Sequence, residues 1–347
     1  MIRWLFPVIT LVLSLIVMLI IGEIVLRILG IGYGNMPTVP DPILEYRNPS
    51  NYSYTFNVPG GEIKDQRVVL DDEGLISAPY TNPDENRDIR YRIAFLGDSF
   101  VEAKHVSFTD SFVGILRDSS YSIAEVKNYG VSSYSPIAYL LQWRHQVRHF
   151  QPTNVFILFF SNDIEHDKRR AEIAQYDVNG DIKAVPGKKL GKIRRFMRKF
   201  YVARFVRKFQ LQLKWALENR GGDRTVIGGV VEENPDITDL TAETIITLSQ
   251  EISDSNGQLI LMAVPSKYRL YSKEVEFSEP ELSDKWKKWC EENNISFVDL
   301  VEPFREAMKK GIQPFFTKDI HFNEEGHKVA ARTLMDLYPQ IFSPLTK

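Results

Sequence analysis

The chain is most tightly constrained by a pattern that begins near residue 91. Five short runs, most of them apolar, at 92–96, 124–128, 154–160, 258–264 and 295–299, are separated by stretches with apolar residues at helical spacing. Strands covered on both faces read as unbroken apolar runs, and parallel strands need a long crossover between them, usually a helix. The pattern therefore predicts an α/β domain around a five-stranded parallel sheet. Helices are expected at 112–116, 137–147 and 242–252, with a last one at 324–337. A length of 347 residues holds one such domain with additions, although two compact domains also fit on length alone.

A second constraint lies at the N-terminus. Residues 4–21 contain no charged side chain, and about 20 residues at 1.5 Å each cross a hydrocarbon layer of roughly 30 Å. The helical pattern runs on through Gly22, Glu23 and Arg27 without a small-x-small cleavage site, so residues 1–30 are expected to form an uncleaved signal anchor. Arg3 lies on one flank, while Glu23 and Arg27 nearly cancel on the other. This balance favours a single-pass protein with its N-terminus inside and the remainder extracytoplasmic.

Residues 31–90 read as a tether and lead-in segment, with Pro37, Pro40 and Pro42, a turn at 48–51, and short strand-like runs at 52–56 and 67–70. Residues 165–235 are too long for a simple connection and form an insertion in the domain at 91–347. From Lys188 to Lys208 this insertion mixes cations with apolar residues, and Ile193, Phe196, Met197 and Phe200 fall on one helical face. Three readings fit: an interfacial helix on anionic lipid, a clamp for an anionic polysaccharide, or a solvated amphipathic helix covering the sheet.

The formal net charge of −2 gives no global attraction to nucleic acid, and no nucleic-acid partner is expected. Cys290 is the only cysteine, which excludes an intrachain disulfide and a cysteine metal cluster. The histidines and carboxylates show no ligand spacing of recognised type, so no metal or organic cofactor is expected.

The chemistry is carried by separated residues. The first run ends in Gly97-Asp98-Ser99, placing a serine where a strand turns into a helix whose N-terminal N–H groups can receive an oxyanion. By itself Gly97-Asp98-Ser99 is a weak motif, and Ser99 alone reads first as a helix-capping residue. Near the C-terminus Asp319 stands two residues before His321, on a loop leading into the last helix. A serine hydroxyl needs an imidazole to accept its proton, and the imidazole needs an acceptor to fix its tautomer. His321 and Asp319 can fill those two roles. His327 falls inside the predicted helix and is assigned to packing or the helix surface. Gly130, after the second run, and Asn162, after the third, reach the same sheet edge and are candidate oxyanion donors. Taken singly, each is an ordinary turn or cap residue.

These blocks, in this order, resemble the SGNH (GDSL-like) hydrolase superfamily over roughly residues 91–340. The resemblance implies a flavodoxin-like three-layer α/β/α sandwich. It implies Ser99 as nucleophile, His321 as base and Asp319 as acid, with the Ser99 N–H, the Gly130 N–H and the Asn162 side chain as the oxyanion hole. Many members carry the acid three residues before the histidine, where this chain has Lys318. The expected function is serine ester hydrolysis of an acylated glycan or lipid, including deacetylation. The alternatives are O-acyl transfer to a cell-surface polysaccharide and an inactive glycan-binding protein of the same fold.

Overall fold

The structure, a computed structural model, describes residues 2–29, 38–56, 62–80, 87–187, 191–197, 199–218, 238–271, 278–317 and 319–342. Pro37, Lys188, Lys318 and the last part of the expected insertion lie outside them. The chain forms two units. One comprises Met1–Pro37, Thr55–Gln66 and Lys189–Thr225, and the other comprises Thr38–Tyr54, Arg67–Lys188 and Val226–Lys347.

The chain opens with α1 (Ile2–Ile28), which is long and apolar enough from Phe6 to Ile28 to cross a bilayer and is not buried over that span. Two small two-stranded pieces follow, an antiparallel one of β1 (Val39–Asp41) with β2 (Glu45–Arg47), and a pair formed by β3 (Tyr52–Phe56) and β4 (Gln66–Leu70).

The main domain then runs through β5 (Tyr91–Gly97), α2 (Ser99–Glu102), α3 (Phe112–Ser119), β6 (Ala124–Asn128), α4 (Pro136–His145) and β7 (Asn154–Phe159). Between the third and fourth sheet strands come α5 (Asn162–Ala171), the hairpin β8 (Gln175–Tyr176) and β9 (Ile182–Ala184), α6 (Lys192–Met197), α7 (Tyr201–Glu218) and α8 (Asp239–Asp254). The chain ends with β10 (Gln258–Ala263), α9 (Lys267–Tyr271), α10 (Ser278–Glu292), β11 (Ser296–Asp299), α11 (Val301–Lys309), α12 (Glu324–Leu337) and α13 (Pro339–Phe342).

The five expected strands form one parallel sheet in the order β11-β10-β7-β5-β6. β5, the first in sequence, thus lies between the second and third, and the winding direction reverses beside it. Ligands of open α/β sheets bind at such a reversal, outside the carboxyl ends of the strands. Side-chain alternation divides the sheet into two faces. Phe95 stacks on Phe156 with centroids 4.9 Å apart and meets the edge of Phe112 from α3, while Phe342 of α13 closes the same face. Ala94, Leu96, Val155 and Ile157 point the other way, into a core shared with α4, α8 and α10. The result is the three-layer sandwich.

The last helix, α12, has the expected bounds, α3 starts where expected and runs on to Ser119, and α8 extends past its apolar spacing at both ends; polar caps mark the starts of α3 and α8. Ser111 accepts the Gly114 N–H at 3.0 Å, and Thr238 accepts that of Thr241. The fourth helix instead stops early, at His145, with a 3-10 turn at Val147–Phe150. The helical face expected across residues 193–200 is broken: α6 ends at Met197 and α7 begins only at Tyr201.

Candidate active site

Ser99 is the first residue of α2, directly after β5. Asp98 caps that helix, its Oδ1 accepting the Phe100 N–H at 2.9 Å. Gly97 must be a glycine here, because a Cβ would lie 2.3 Å from Cγ2 of Val101. Half-buried, Ser99 faces a loop from the far end of the chain.

That loop is shaped by its own backbone. Phe315 and Phe322 form an antiparallel bridge, and the Phe316 N–H donates to the His321 carbonyl. Asn323 then locks the base of the loop: its amide donates to the Gln313 and Phe315 carbonyls at 2.7 and 3.0 Å, and its Oδ1 caps α12 at Gly326. Phe322 is fully buried against Phe100, Phe304 and Phe315, so the residue before it projects outward, toward Ser99.

His321 Nε2 lies 2.7 Å from Ser99 Oγ, and His321 Nδ1 lies 2.5 Å from Asp319 Oδ1. A carboxylate can only accept, so Nδ1 carries the proton and Nε2 of the neutral ring is left to accept from the serine hydroxyl. Asp319 Oδ1 also accepts the His321 backbone N–H at 2.9 Å. Burial works to raise the Asp319 pKa, but its bonds to His321 and the nearby Lys267 charge outweigh that, and the carboxyl ends below its ordinary value. The structure thus brings Ser99, His321 and Asp319 into one hydrogen-bonded line.

Gly130 and Asn162 flank this line on the neighbouring strand ends. A Cβ on Gly130 would fall 2.3 Å from the Glu102 backbone nitrogen, so the Gly130 loop rests directly on α2. The Gly130 N–H donates to Asn128 Oδ1 at 2.9 Å. Asn162 opens α5, and its amide hydrogen-bonds Asp98; burial nevertheless raises the Asp98 pKa. The two flanks are tied together, since the buried Arg170 of α5 donates to the Ser133 carbonyl at 2.6 Å and to Ser135 Oγ at 2.8 Å.

Several supporting residues carry no pattern in the sequence. His105 stacks on His321 with centroids 3.9 Å apart and planes 19° apart, and burial holds its pKa well below the ordinary histidine value. Lys267, at the start of α9, donates to the carbonyls of Phe316, Thr317 and Asp319 at 2.6, 2.8 and 3.0 Å. Glu102 and Lys104 form a buried ion pair at 2.9 Å; Glu102 also accepts from Asn48 Nδ2 and the Ser132 N–H, which fixes the segment after Gly130. His327 proves fully buried rather than on the helix surface, with Nδ1 accepting the Phe112 N–H.

His105, Asp319 and His321 offer ligand atoms within 4.8 Å of one another. The fit to a metal ion is poor. Imidazole lone pairs lie in the ring plane, so two nearly parallel stacked rings do not aim at one point, and both His321 nitrogens already have partners.

The sequence profile of the GDSL-like lipase/acylhydrolase family matches residues 95–329. No curated protein matches the chain by sequence. Among solved structures, the acetylxylan esterase Axe2 from Geobacillus stearothermophilus aligns at 17% identity and a TM-score of 0.42, covering 72% of this chain and 95% of its own. LAE5, an alpha/beta hydrolase enzyme from the metagenome of Lake Arreo, aligns at 14% identity and a TM-score of 0.43, covering 74% and 99% respectively. A lipolytic G-D-S-L family protein from Veillonella parvula aligns at 15% identity and a TM-score of 0.41, covering 72% and 98%.

Proposed function

Because the chain belongs to the GDSL-like lipase/acylhydrolase family and is an ester-bond hydrolase, we propose that Ser99, His321 and Asp319 are its catalytic residues and that the reaction passes through an acyl-serine. The observation that carries this reading is the unbroken Ser99–His321–Asp319 line. His321 Nε2 takes the Ser99 hydroxyl proton as Oγ bonds to the ester carbonyl carbon, and Asp319 stabilises the imidazolium through Nδ1–H. The carbonyl oxygen, now carrying the negative charge, is received by the Ser99 N–H at the start of α2, the Gly130 N–H and the Asn162 amide. Gly130 shares its N–H between that oxygen and Asn128 Oδ1.

When the tetrahedral adduct collapses, the C–O bond to the alcohol breaks and the alcohol leaves with the proton from Nε2. Water then repeats the sequence on the acyl-serine, releasing the acid and restoring the hydroxyl. The substrate is an O-acyl ester of a carbohydrate or lipid. α1 is an uncleaved membrane anchor, with the catalytic domain on the extracytoplasmic side.

The test uses the full-length protein in detergent with short aryl esters and O-acetylated glycans. Ser99→Ala is expected to lower kcat by about 10⁴-fold or more while the circular dichroism spectrum is unchanged. A folded Ser99→Ala protein with near wild-type turnover would refute the assignment. Acyl release in water without a sugar acceptor supports hydrolysis, whereas turnover only in the presence of an acceptor would make the protein a transferase.

A further inference from the structure

The basic part of the insertion folds against α1, not as an isolated helix. Glu23 near the end of α1 accepts the Val202 N–H at 3.0 Å, at the first turn of α7, and so satisfies one of the N–H groups a helix start leaves open. Arg27 is bonded to Glu23 and donates to the Lys199 carbonyl at 3.2 Å, and its guanidinium lies 4.8 Å over the Tyr201 ring. Val202 Cγ2 comes within 3.5 Å of where a Cβ on Gly22 would be. These contacts all fall between Gly22 and Arg27, at the end of the apolar span, where a bilayer would give way to water.

Ile193, Phe196 and Met197 on α6 and Phe205, Val206 and Phe209 on α7 are exposed. Phe205, Val206 and Phe209 follow Val202 at intervals of three, four and seven, which makes one stripe along α7. From residue 188 to 208 the sequence has ten Lys or Arg and no Asp or Glu. A fully solvated helix has no use for an apolar stripe beside an anchor, and a polysaccharide clamp does not call for six exposed aliphatic and aromatic side chains. A bilayer interface accommodates both, with rings among the acyl chains and cations at the headgroups.

We propose that α6 and α7 lie on an anionic bilayer surface, where their exposed apolar side chains enter the interface, their cations meet lipid phosphates, and the Glu23–Arg27 junction sets them at the depth where α1 leaves the hydrocarbon. The proposal rests on α1 crossing the membrane; it does not depend on the catalytic assignment.

The test places the full-length protein in nanodiscs of phosphatidylcholine alone or with added phosphatidylglycerol and follows hydrogen exchange of α6 and α7. The expected result is exchange about tenfold slower in the anionic discs, reversed by high salt and absent in Arg204→Glu/Arg207→Glu. Equal exchange in both discs would overturn the proposal. So would protection by soluble polygalacturonate in phosphatidylcholine discs with none from anionic lipid, which would assign the surface to polysaccharide. Failure to co-elute with either disc would remove the anchor and the proposal with it, while ester hydrolysis measured in detergent would remain a separate result.

Discussion

The His105 imidazole lies flat against that of His321, with centroids 3.9 Å apart. His321 holds the Ser99 hydroxyl on one ring nitrogen and the Asp319 carboxylate on the other. Burial, with the neighbouring His321 and Lys104 adding to it, lowers the His105 pKa well below the ordinary histidine value; in the proposed mechanism the stacked His105 ring is a flat wall that limits tilting of His321. Misplacement of a reacting group by about 1 Å can cost about 100-fold. His105→Ala is therefore expected to lower kcat by about tenfold or more with little change in KM, and His105→Phe to retain most of the activity. Steady-state kinetics on an aryl ester checks both. Equal losses in the two variants would mean that the flat contact is not what matters.

Lys267 gathers three carbonyls of the loop that carries the acid. Hydrogen bonds from a charged donor contribute about 1.5–3 kcal/mol each. Lys267→Met should let Asp319 drift from Nδ1, with kcat falling by about 10- to 100-fold and the melting temperature dropping by only a few degrees. Retention of full kcat would show that Asn323 and the Phe315–Phe322 bridge hold the loop unaided.

The Glu102–Lys104 pair is buried and braces the segment after Gly130. Removing one partner of a buried pair leaves the other charge uncompensated, at a cost of about 3–5 kcal/mol, whereas removing both is often much milder. Chemical denaturation should therefore show Glu102→Gln and Lys104→Met each strongly destabilising, and the double variant less so than their sum. Additive losses would contradict the pairing.

His327 provides a pH prediction. Burial lowers its pKa from 6.5 to about 3. Between those values the unfolded chain binds a proton that the folded one does not, so this group's stabilisation is complete above about pH 6.5 and is lost as pH falls toward about 3. The buried Asp98 and Asp163 are raised by burial and act in the opposite direction, so the comparison must be made against a variant. His327→Gln should lose less melting temperature than the wild type between pH 7 and pH 4. An identical loss would mean that His327 is protonated in the folded protein.

Most of the sheet was legible because burial on both faces demands largely apolar runs. The edge strand at Ala124–Asn128, where Glu125 and Lys127 interrupt the apolar residues, still falls where expected, and the others differ by a residue or so at their ends. That Ser99, Asp319 and His321 meet could be expected because a serine at a strand-to-helix turn and an acid two residues before a histidine are short local patterns. The supporting residues leave none. His105, Lys267 and the Glu102–Lys104 pair take their roles from packing between segments far apart in sequence, and a lone histidine or lysine looks the same whether or not a partner folds onto it. The break between α6 and α7 was hidden for the same reason, since Glu23 and Arg27, more than 170 residues earlier, hold the start of α7.

Ser99 and His321 stand 222 residues apart in the chain. A ribosome makes the Ser99 hydroxyl long before the imidazole that meets it, which follows every strand of the sheet. A partly synthesised chain therefore carries an ordinary serine, and in the mechanism proposed above its reactivity toward esters begins only when the segment with Asp319 and His321 packs against it.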